Sequence, residues 1–125
     1  MSRILQNHYV LAVRDARGEA DFYVGKLGFR VADEPPGWVF VEKDGCVVML
    51  GECRDALRAI ELGDHSYFGY LRVDDAEGYY EELRAKGVEM SSPLSDRPWG
   101  MREFGVRTPE GFRIMIGQWI GGGGE

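Results

Sequence analysis

The sequence has no long apolar run, only two cysteines, and fewer basic than acidic residues. No stretch approaches the roughly 18 apolar residues that a transmembrane helix needs, so we expect no membrane-spanning segment. The first residues lack the apolar core of a secretory signal, which predicts a cytoplasmic protein. Cys46 and Cys53 lack the spacing of a metal site, which favours two reduced thiols over a disulfide or a zinc site.

The excess of acidic residues gives a formal net charge of −6. Nucleic-acid binding needs clustered Lys and Arg to neutralise phosphates, so this balance argues against a nucleic-acid partner. An acidic surface can attract cationic small molecules, but it serves solubility equally well. The sequence also lacks a Ser-His-Asp or Cys-His arrangement, a phosphate-binding loop and paired carboxylates on one strand face. The residues therefore supply no standard catalytic set.

A pattern of strands, helix and turn occurs twice. Residues 44–49 and 110–115 both open with an acidic residue and a glycine, and a methionine stands four residues after the glycine. Helix N-caps are predicted at Asp15 and Asp75, an offset of 60, and helix ends at Gly28 and Gly87, an offset of 59. The late turn glycines are offset by 66, so about six extra residues fall in the second copy, within residues 91–99.

The sequence therefore predicts an α+β fold of two tandem βαβββ units, at about residues 5–52 and 65–118. Neither unit can bury its sheet face alone, so the two should pack together as a single domain over residues 1–120. Residues 91–96 are predicted to be a loop, and residues 121–125 a disordered tail.

Residues 98–118 carry a family resemblance. Pro-Trp-Gly at 98–100, Arg-Glu-Phe at 102–104 and Pro-Glu-Gly at 109–111, each followed by strand pattern, resemble the C-terminal end of bleomycin-resistance proteins. These belong to the vicinal oxygen chelate superfamily, with glyoxalase I and extradiol dioxygenases, and the resemblance extends over the whole chain. It implies a curved mixed sheet in which each unit encloses half of a cleft. It also implies a homodimer that holds ligands in grooves at the subunit interface.

Metal enzymes of the family that this chain resembles place one ligand on the first strand and one on the last strand of each unit. The matching positions here hold His8, Met49, Phe68 and Met115. Only His8 suits a hard or borderline divalent ion, because thioethers prefer soft Cu(I) and phenylalanine has no donor atom. A catalytic metal normally needs three protein ligands, so we expect no metal ion and no cofactor.

The predicted cleft is instead apolar, with a few polar groups. Strand alternation and loop position select eleven candidate ligand-binding residues: His8, Trp38, Phe40, Met49, Phe68, Tyr70, Arg72, Trp99, Met101, Arg113 and Met115. Some of these side chains could instead simply fill the space that a metal site would occupy. Arg72 and Arg113 either pair with acidic neighbours or anchor a substrate carboxylate, and the sequence leaves both open.

The leading hypothesis is a metal-independent small-molecule-binding homodimer that sequesters a partly aromatic ligand, with antibiotics among the candidates. The alternative is an enzyme of the glyoxalase superfamily, of lyase or dioxygenase type. It would use an atypical metal site, or metal-free acid–base chemistry by His8 with Tyr70 or Arg72 polarising the substrate. A third hypothesis is a purely associative module whose clefts are plugged by side chains.

Overall fold

The computed structural model describes residues 2–121 of the 125-residue chain. The chain divides into two compact units that meet in sequence between Arg58 and Ala59. Of the predicted tail at 121–125, residues 122–125 lie outside the described residues. Within residues 2–121, no helix has both the length and the apolar composition needed to cross a bilayer.

The first unit contains four strands and one helix in the order βαβββ. Its elements are β1 (Tyr9–Val13), α1 (Ala16–Phe22) with a π-helical turn at Tyr23–Leu27, β2 (Arg30–Asp33), β3 (Trp38–Lys43) and β4 (Cys46–Glu52). The sheet order is β1-β4-β3-β2, with β1 parallel to β4 and the other pairs antiparallel. A parallel first and last strand requires the helical crossover between β1 and β2.

Local chemistry explains these boundaries. The Asp15 carboxylate accepts a hydrogen bond from the Gly18 amide at 2.9 Å and so caps α1. Gly28 ends the helical segment at φ 87°, a left-handed conformation that favours glycine. Asp44 and Gly45 both have positive φ, as a tight two-residue hairpin requires. One face of the sheet then packs under the helix and forms the core of this unit.

The second unit begins with a 3₁₀ segment and repeats the same order of strands and helix. Its elements are the 3₁₀ segment Ala59–Ser66, β5 (Tyr67–Arg72), α2 (Ala76–Ala85), β6 (Glu89–Asp96), β7 (Met101–Arg107) and β8 (Arg113–Trp119). The sheet order is β5-β8-β7-β6, with β5 parallel to β8. Asp75 caps α2 through the Gly78 amide, and Gly87 follows the helix with φ 77°. The predicted tandem βαβββ fold is confirmed.

The prediction of a loop at residues 91–96 was wrong, because these residues belong to β6. β6 has eight residues where β2 has four, and its pairing with β7 is irregular between Met90 and Ser92 and between Ser92 and Ser95. These irregularities accommodate extra residues within a strand. Proline and aspartate are poor strand formers, and the irregular register interrupts the alternation, so the sequence pattern of residues 91–96 is typical of a loop.

Candidate functional site: an aromatic cleft in the second unit

A cleft of about 500 Å³ lies within the second unit. Its lining residues are Tyr70, Arg72, Trp99, Met101 and Trp119. Three aromatic rings and a thioether thus surround a space of the size that small-molecule ligands occupy in proteins. All three rings are partly exposed, and Trp99 is the most accessible at 55%.

The cleft occupies the face of the sheet that α2 leaves uncovered. Phe104 of β7 packs against Tyr80 of α2, with ring centroids 5.1 Å apart. Because side chains alternate along a strand, Met101 and Glu103 face the opposite side of the sheet. Phe104 is fully buried in the core beneath α2. The burial of Phe104 therefore fixes which β7 side chains face the cleft.

Glu103 organises the polar side of the cleft. The Tyr70 hydroxyl donates a hydrogen bond to Glu103 Oε1 at 2.9 Å, and Trp99 Nε1 donates to the same oxygen at 3.2 Å. Arg97 Nε lies 3.9 Å from the other carboxylate oxygen. Glu103 is only 6% exposed, so these neighbours replace the water that a carboxylate would otherwise bind. The network holds two of the aromatic rings in fixed positions.

Tyr70 is a hydrogen-bond donor at neutral pH. Burial, the hydrogen bond to Glu103 and the negative charge of Glu103 raise the pKa of Tyr70 to about 12. The phenol therefore stays protonated, and it can donate to Glu103 but does not act as a base.

Two arginines that the sequence left undecided differ in the structure. Arg113 donates from Nε to Ser66 Oγ at 2.7 Å and from Nη2 to the Gly63 carbonyl at 2.8 Å, and it lies 3.6 Å from Asp64. It therefore ties the 3₁₀ segment to the sheet and pairs with an acidic neighbour. Arg72 lines the cleft, and within residues 2–121 its guanidinium makes no hydrogen bond or ion pair.

The other candidates of the second unit lie around these residues. Phe68 packs edge-on against Phe112, with ring centroids 5.6 Å apart, and is not among the side chains that line the cleft. The pairing of β5 with β8 is irregular between Tyr67 and Gly69, which interrupts the alternation that placed Phe68 with Tyr70. Met115 is the strand partner of Tyr70 on β8.

The four candidates of the first unit are His8, Trp38, Phe40 and Met49. Trp38 helps to line a smaller cleft of about 210 Å³ within that unit, and its ring lies edge-on to Phe40 at 6.1 Å. Met49 is the strand partner of both Phe40 and Val10. His8 is exposed and precedes β1.

Sequence reasoning missed Trp119 and the role of Glu103. Trp119 stands four residues after Met115 on β8, so extending the same alternation along the strand would have placed it on the cleft face. Glu103 is an acidic residue at the alternate position to Met101 on β7, so alternation from Met101 would have placed it on the cleft face. A charged residue at such a position is a signal for a buried polar network.

In the part of the chain that the structure describes, no three His, Cys, Asp or Glu side chains lie close enough together to hold a metal ion. The strand partners of Met49 and Met115 on β1 and β5 are Val10 and Tyr70.

Residues 5–116 match the family model of the Glyoxalase/Bleomycin resistance protein/Dioxygenase superfamily, so the chain belongs to this superfamily. This confirms the resemblance predicted from the sequence. No curated protein sequence matches the chain.

Solved structures share the fold. A glyoxalase/bleomycin resistance protein/dioxygenase from Nocardioides is 25% identical with a TM-score of 0.73, covering 98% of this chain and 88% of that one. The bleomycin-binding protein of Streptomyces verticillus, solved with copper(II)-bleomycin, is 22% identical with a TM-score of 0.71, covering 97% and 99%. TnmS3, an antibiotic binding protein from Streptomyces sp. CB03234, is 23% identical with a TM-score of 0.71, covering 93% and 98%. The similarity to the last two structures shows a shared fold and no more than that.

Proposed function

We propose that this protein binds a small, partly aromatic molecule non-covalently in the cleft of the second unit, and that it does so without a metal ion. The observation that carries the proposal is the cleft itself, in which a buried carboxylate holds two of the three aromatic rings in place. The names of two relatives of the same fold, a bleomycin-binding protein and an antibiotic binding protein, support antibiotics as one class of ligand.

The lining of the cleft suits an aromatic ligand. Offset or edge-on packing of aromatic rings contributes about 0.5–1.5 kcal/mol per pair beyond area burial. Trp99 and Trp119 supply the largest such surfaces, and the flexible Met101 adapts to irregular shapes. Because Glu103 fixes Tyr70 and Trp99 before a ligand arrives, binding needs less ordering of side chains.

Sequestration needs shape and chemical complementarity, and no reacting group. The cleft offers rings, a thioether, a protonated phenol and a guanidinium. This set can orient and retain a molecule, which is what a sequestering protein requires.

The proposal includes a cytoplasmic homodimer, each chain a single domain over residues 1–120, with the ligand held at the subunit interface. The first unit exposes Val10 and Trp38, and the second unit exposes Trp99 and Trp119, which gives each unit an apolar surface that a second copy could cover. Light scattering coupled to size exclusion should give twice the 14.1 kDa chain mass. A monomer at the concentrations used for binding would refute this part.

Isothermal titration tests the binding function. The protein should be titrated with bleomycin and a panel of planar antibiotics, with and without a chelator. We expect saturable binding of at least one compound, with an affinity that the chelator does not change. No binding to any compound would count against the function, and binding that the chelator abolishes would refute metal independence.

Variants then locate the binding site. Trp99→Ala should weaken binding about tenfold or more, because the ligand loses an aromatic surface. Trp99→Phe keeps a ring and should lose less. Leu57→Ala removes an exposed apolar side chain outside the cleft and serves as the control. Equal affinities in all three variants would place the site elsewhere.

A further inference from the structure

We propose that the ligand is an aromatic acid, whose anionic group is bound by Arg72 while its ring system lies against the tryptophans of the cleft. This inference rests on the proposed function and specifies the ligand's charge. It comes from a comparison of equivalent strand positions in the two units.

The strand pairing identifies those positions. In the first unit, Gly51 of β4 is paired with Ala12 of β1 and Trp38 of β3. In the second unit, Gly117 of β8 is paired with Arg72 of β5 and Glu103 of β7. The glycine of the first unit therefore has two apolar strand partners, and the equivalent glycine of the second unit has two charged ones.

These two charges do not pair with each other. Glu103 accepts from Tyr70 and Trp99 and has Arg97 beside it. Arg72 makes no ion pair within residues 2–121, although it lines the same cleft. Two guanidinium groups thus stand near one carboxylate, and Arg72 has its donors available.

This local excess of positive charge contrasts with the whole chain, whose formal net charge is −6. A guanidinium presents a planar set of donors that matches a carboxylate, and charge-assisted hydrogen bonds are about twice as strong as neutral ones. The Glu103 carboxylate is almost fully buried and already engaged, so it is not available to a ligand cation. A cationic ligand would instead meet the charge of Arg72.

A matched series of naphthalene compounds tests the inference. The probes are 2-naphthoate, 2-naphthamide and 2-naphthylmethylammonium, which share a ring system and differ in charge. By isothermal titration, we expect the naphthoate to bind about tenfold more tightly than the amide, and the ammonium to bind most weakly. Moderate salt should reduce the naphthoate affinity and leave the amide affinity nearly unchanged.

The Arg72→Gln variant tests whether Arg72 causes the preference for the naphthoate over the amide. This variant should lose the preference, because the naphthoate affinity falls about tenfold, to the affinity that the same variant has for the amide. Arg84→Gln removes an exposed arginine of the same unit outside the cleft and should keep the preference. Circular dichroism confirms that both variants are folded.

The outcomes separate this inference from the function on which it rests. Equal binding of all three probes, or a preference that survives in Arg72→Gln, overturns the inference and leaves an aromatic-binding cleft in place. Tighter binding of the ammonium also overturns it. Binding of none of the three overturns the inference, and the antibiotic panel then decides separately whether the cleft binds any aromatic molecule.

Discussion

The two units share one order of strands and differ in how they fill the sheet face that the helix leaves uncovered. In the first unit the Trp38 ring lies over Gly51, where an added Cβ would stand 2.8 Å from the ring. In the second unit the equivalent glycine, Gly117, lies under the Tyr70 hydroxyl, and Glu103 occupies the position that corresponds to Trp38.

This difference shows how one strand position can give the two units different surfaces on the same face of the sheet. In the first unit the Trp38 ring lies over Gly51 and lines only the smaller cleft. A carboxylate at the same position needs donors, and it obtains them by drawing Tyr70 and Trp99 into fixed positions. Tyr70 then lies over Gly117 with its hydroxyl bonded to Glu103, and both Tyr70 and Trp99 line the cleft.

The largest expected effect is on stability, from Glu103→Ala. The change leaves the Tyr70 hydroxyl and the Trp99 indole without their acceptor, and it leaves Arg97 without its carboxylate. We expect the free energy of unfolding to fall by about 3 kcal/mol in urea denaturation.

Glu103→Gln is the matched control, because the amide oxygen still accepts a hydrogen bond. It should cost clearly less than the alanine substitution. If both substitutions were neutral, the network would not be what distinguishes the second unit from the first.

A methyl group added at Gly117 or at Gly51 should have the next largest effect on stability. Gly117→Ala places a Cβ against the Tyr70 hydroxyl, and Gly51→Ala places one against the Trp38 ring. We expect each to cost about 1–3 kcal/mol in urea denaturation, because the ring must move.

The titration of Tyr70 adds a second readout for Gly117→Ala. Displacement of Tyr70 in Gly117→Ala should separate it from Glu103 and move its pKa down from about 12. Unchanged stability and an unchanged titration in this variant would show that Tyr70 is not packed as described.

Alkaline pH should lower the free energy of unfolding by a smaller amount, through the ionisation of Tyr70 in the second unit. The pKa of Tyr70 is raised from its ordinary value of 10.0 to about 12 by burial first and by the hydrogen bond to Glu103 second. A raised pKa favours the protonated phenol in the folded state. Its stabilising contribution is therefore complete below pH 10.0 and is lost as pH rises towards 12.

Ultraviolet difference titration of the protein against Tyr70→Phe measures this directly. In Glu103→Gln the pKa of Tyr70 should fall but stay above 10.0, because burial persists. Ionisation of Tyr70 at its ordinary value in the unaltered protein would contradict the account.

The smallest expected effect is an acid dependence at the β6–β7 pair. Asp96 accepts from Arg102 at 2.7 and 3.2 Å, and this pairing lowers the pKa of Asp96 below its ordinary 3.8. A lowered pKa means that the stabilisation is present above pH 3.8 and is lost as pH falls through the lower folded value. The pair is exposed, so salt should weaken its effect.

Asp96→Asn tests the acid effect. Urea denaturation should show the unaltered protein slightly more stable than the variant at about pH 6, with the difference shrinking towards about pH 3. An equal difference in stability at both pH values would show that the difference does not come from the ion pair.

Much of the fold could be predicted from local chemistry. Asp15 and Asp75 cap the helices, Gly28 and Gly87 follow the helices with positive φ, and these residues need no information from distant parts of the chain. The repeat offsets predicted about six extra residues within 91–99, but that residues 91–96 belong to a strand could not be predicted, because the irregular pairing of β6 depends on β7 and leaves no alternation in its own sequence.

The site was harder to predict for the same reason. Alternation placed Tyr70 and Arg72 on one face, and the structure puts both in the cleft lining. Arg113 pairs with the 3₁₀ segment, while Arg72 makes no ion pair within residues 2–121. This difference depends on tertiary distances, which no local pattern contains. Which predicted residues contact a ligand stays a prediction.

The most direct test of the proposed aromatic cleft uses the indole N–H groups of the three tryptophans as reporters. In a ¹⁵N–¹H correlation spectrum recorded during titration with the ligand that binds most tightly by calorimetry, the account predicts shifts of the Trp99 and Trp119 resonances. Shifts confined to Trp38, or no indole shift at saturation, would contradict it.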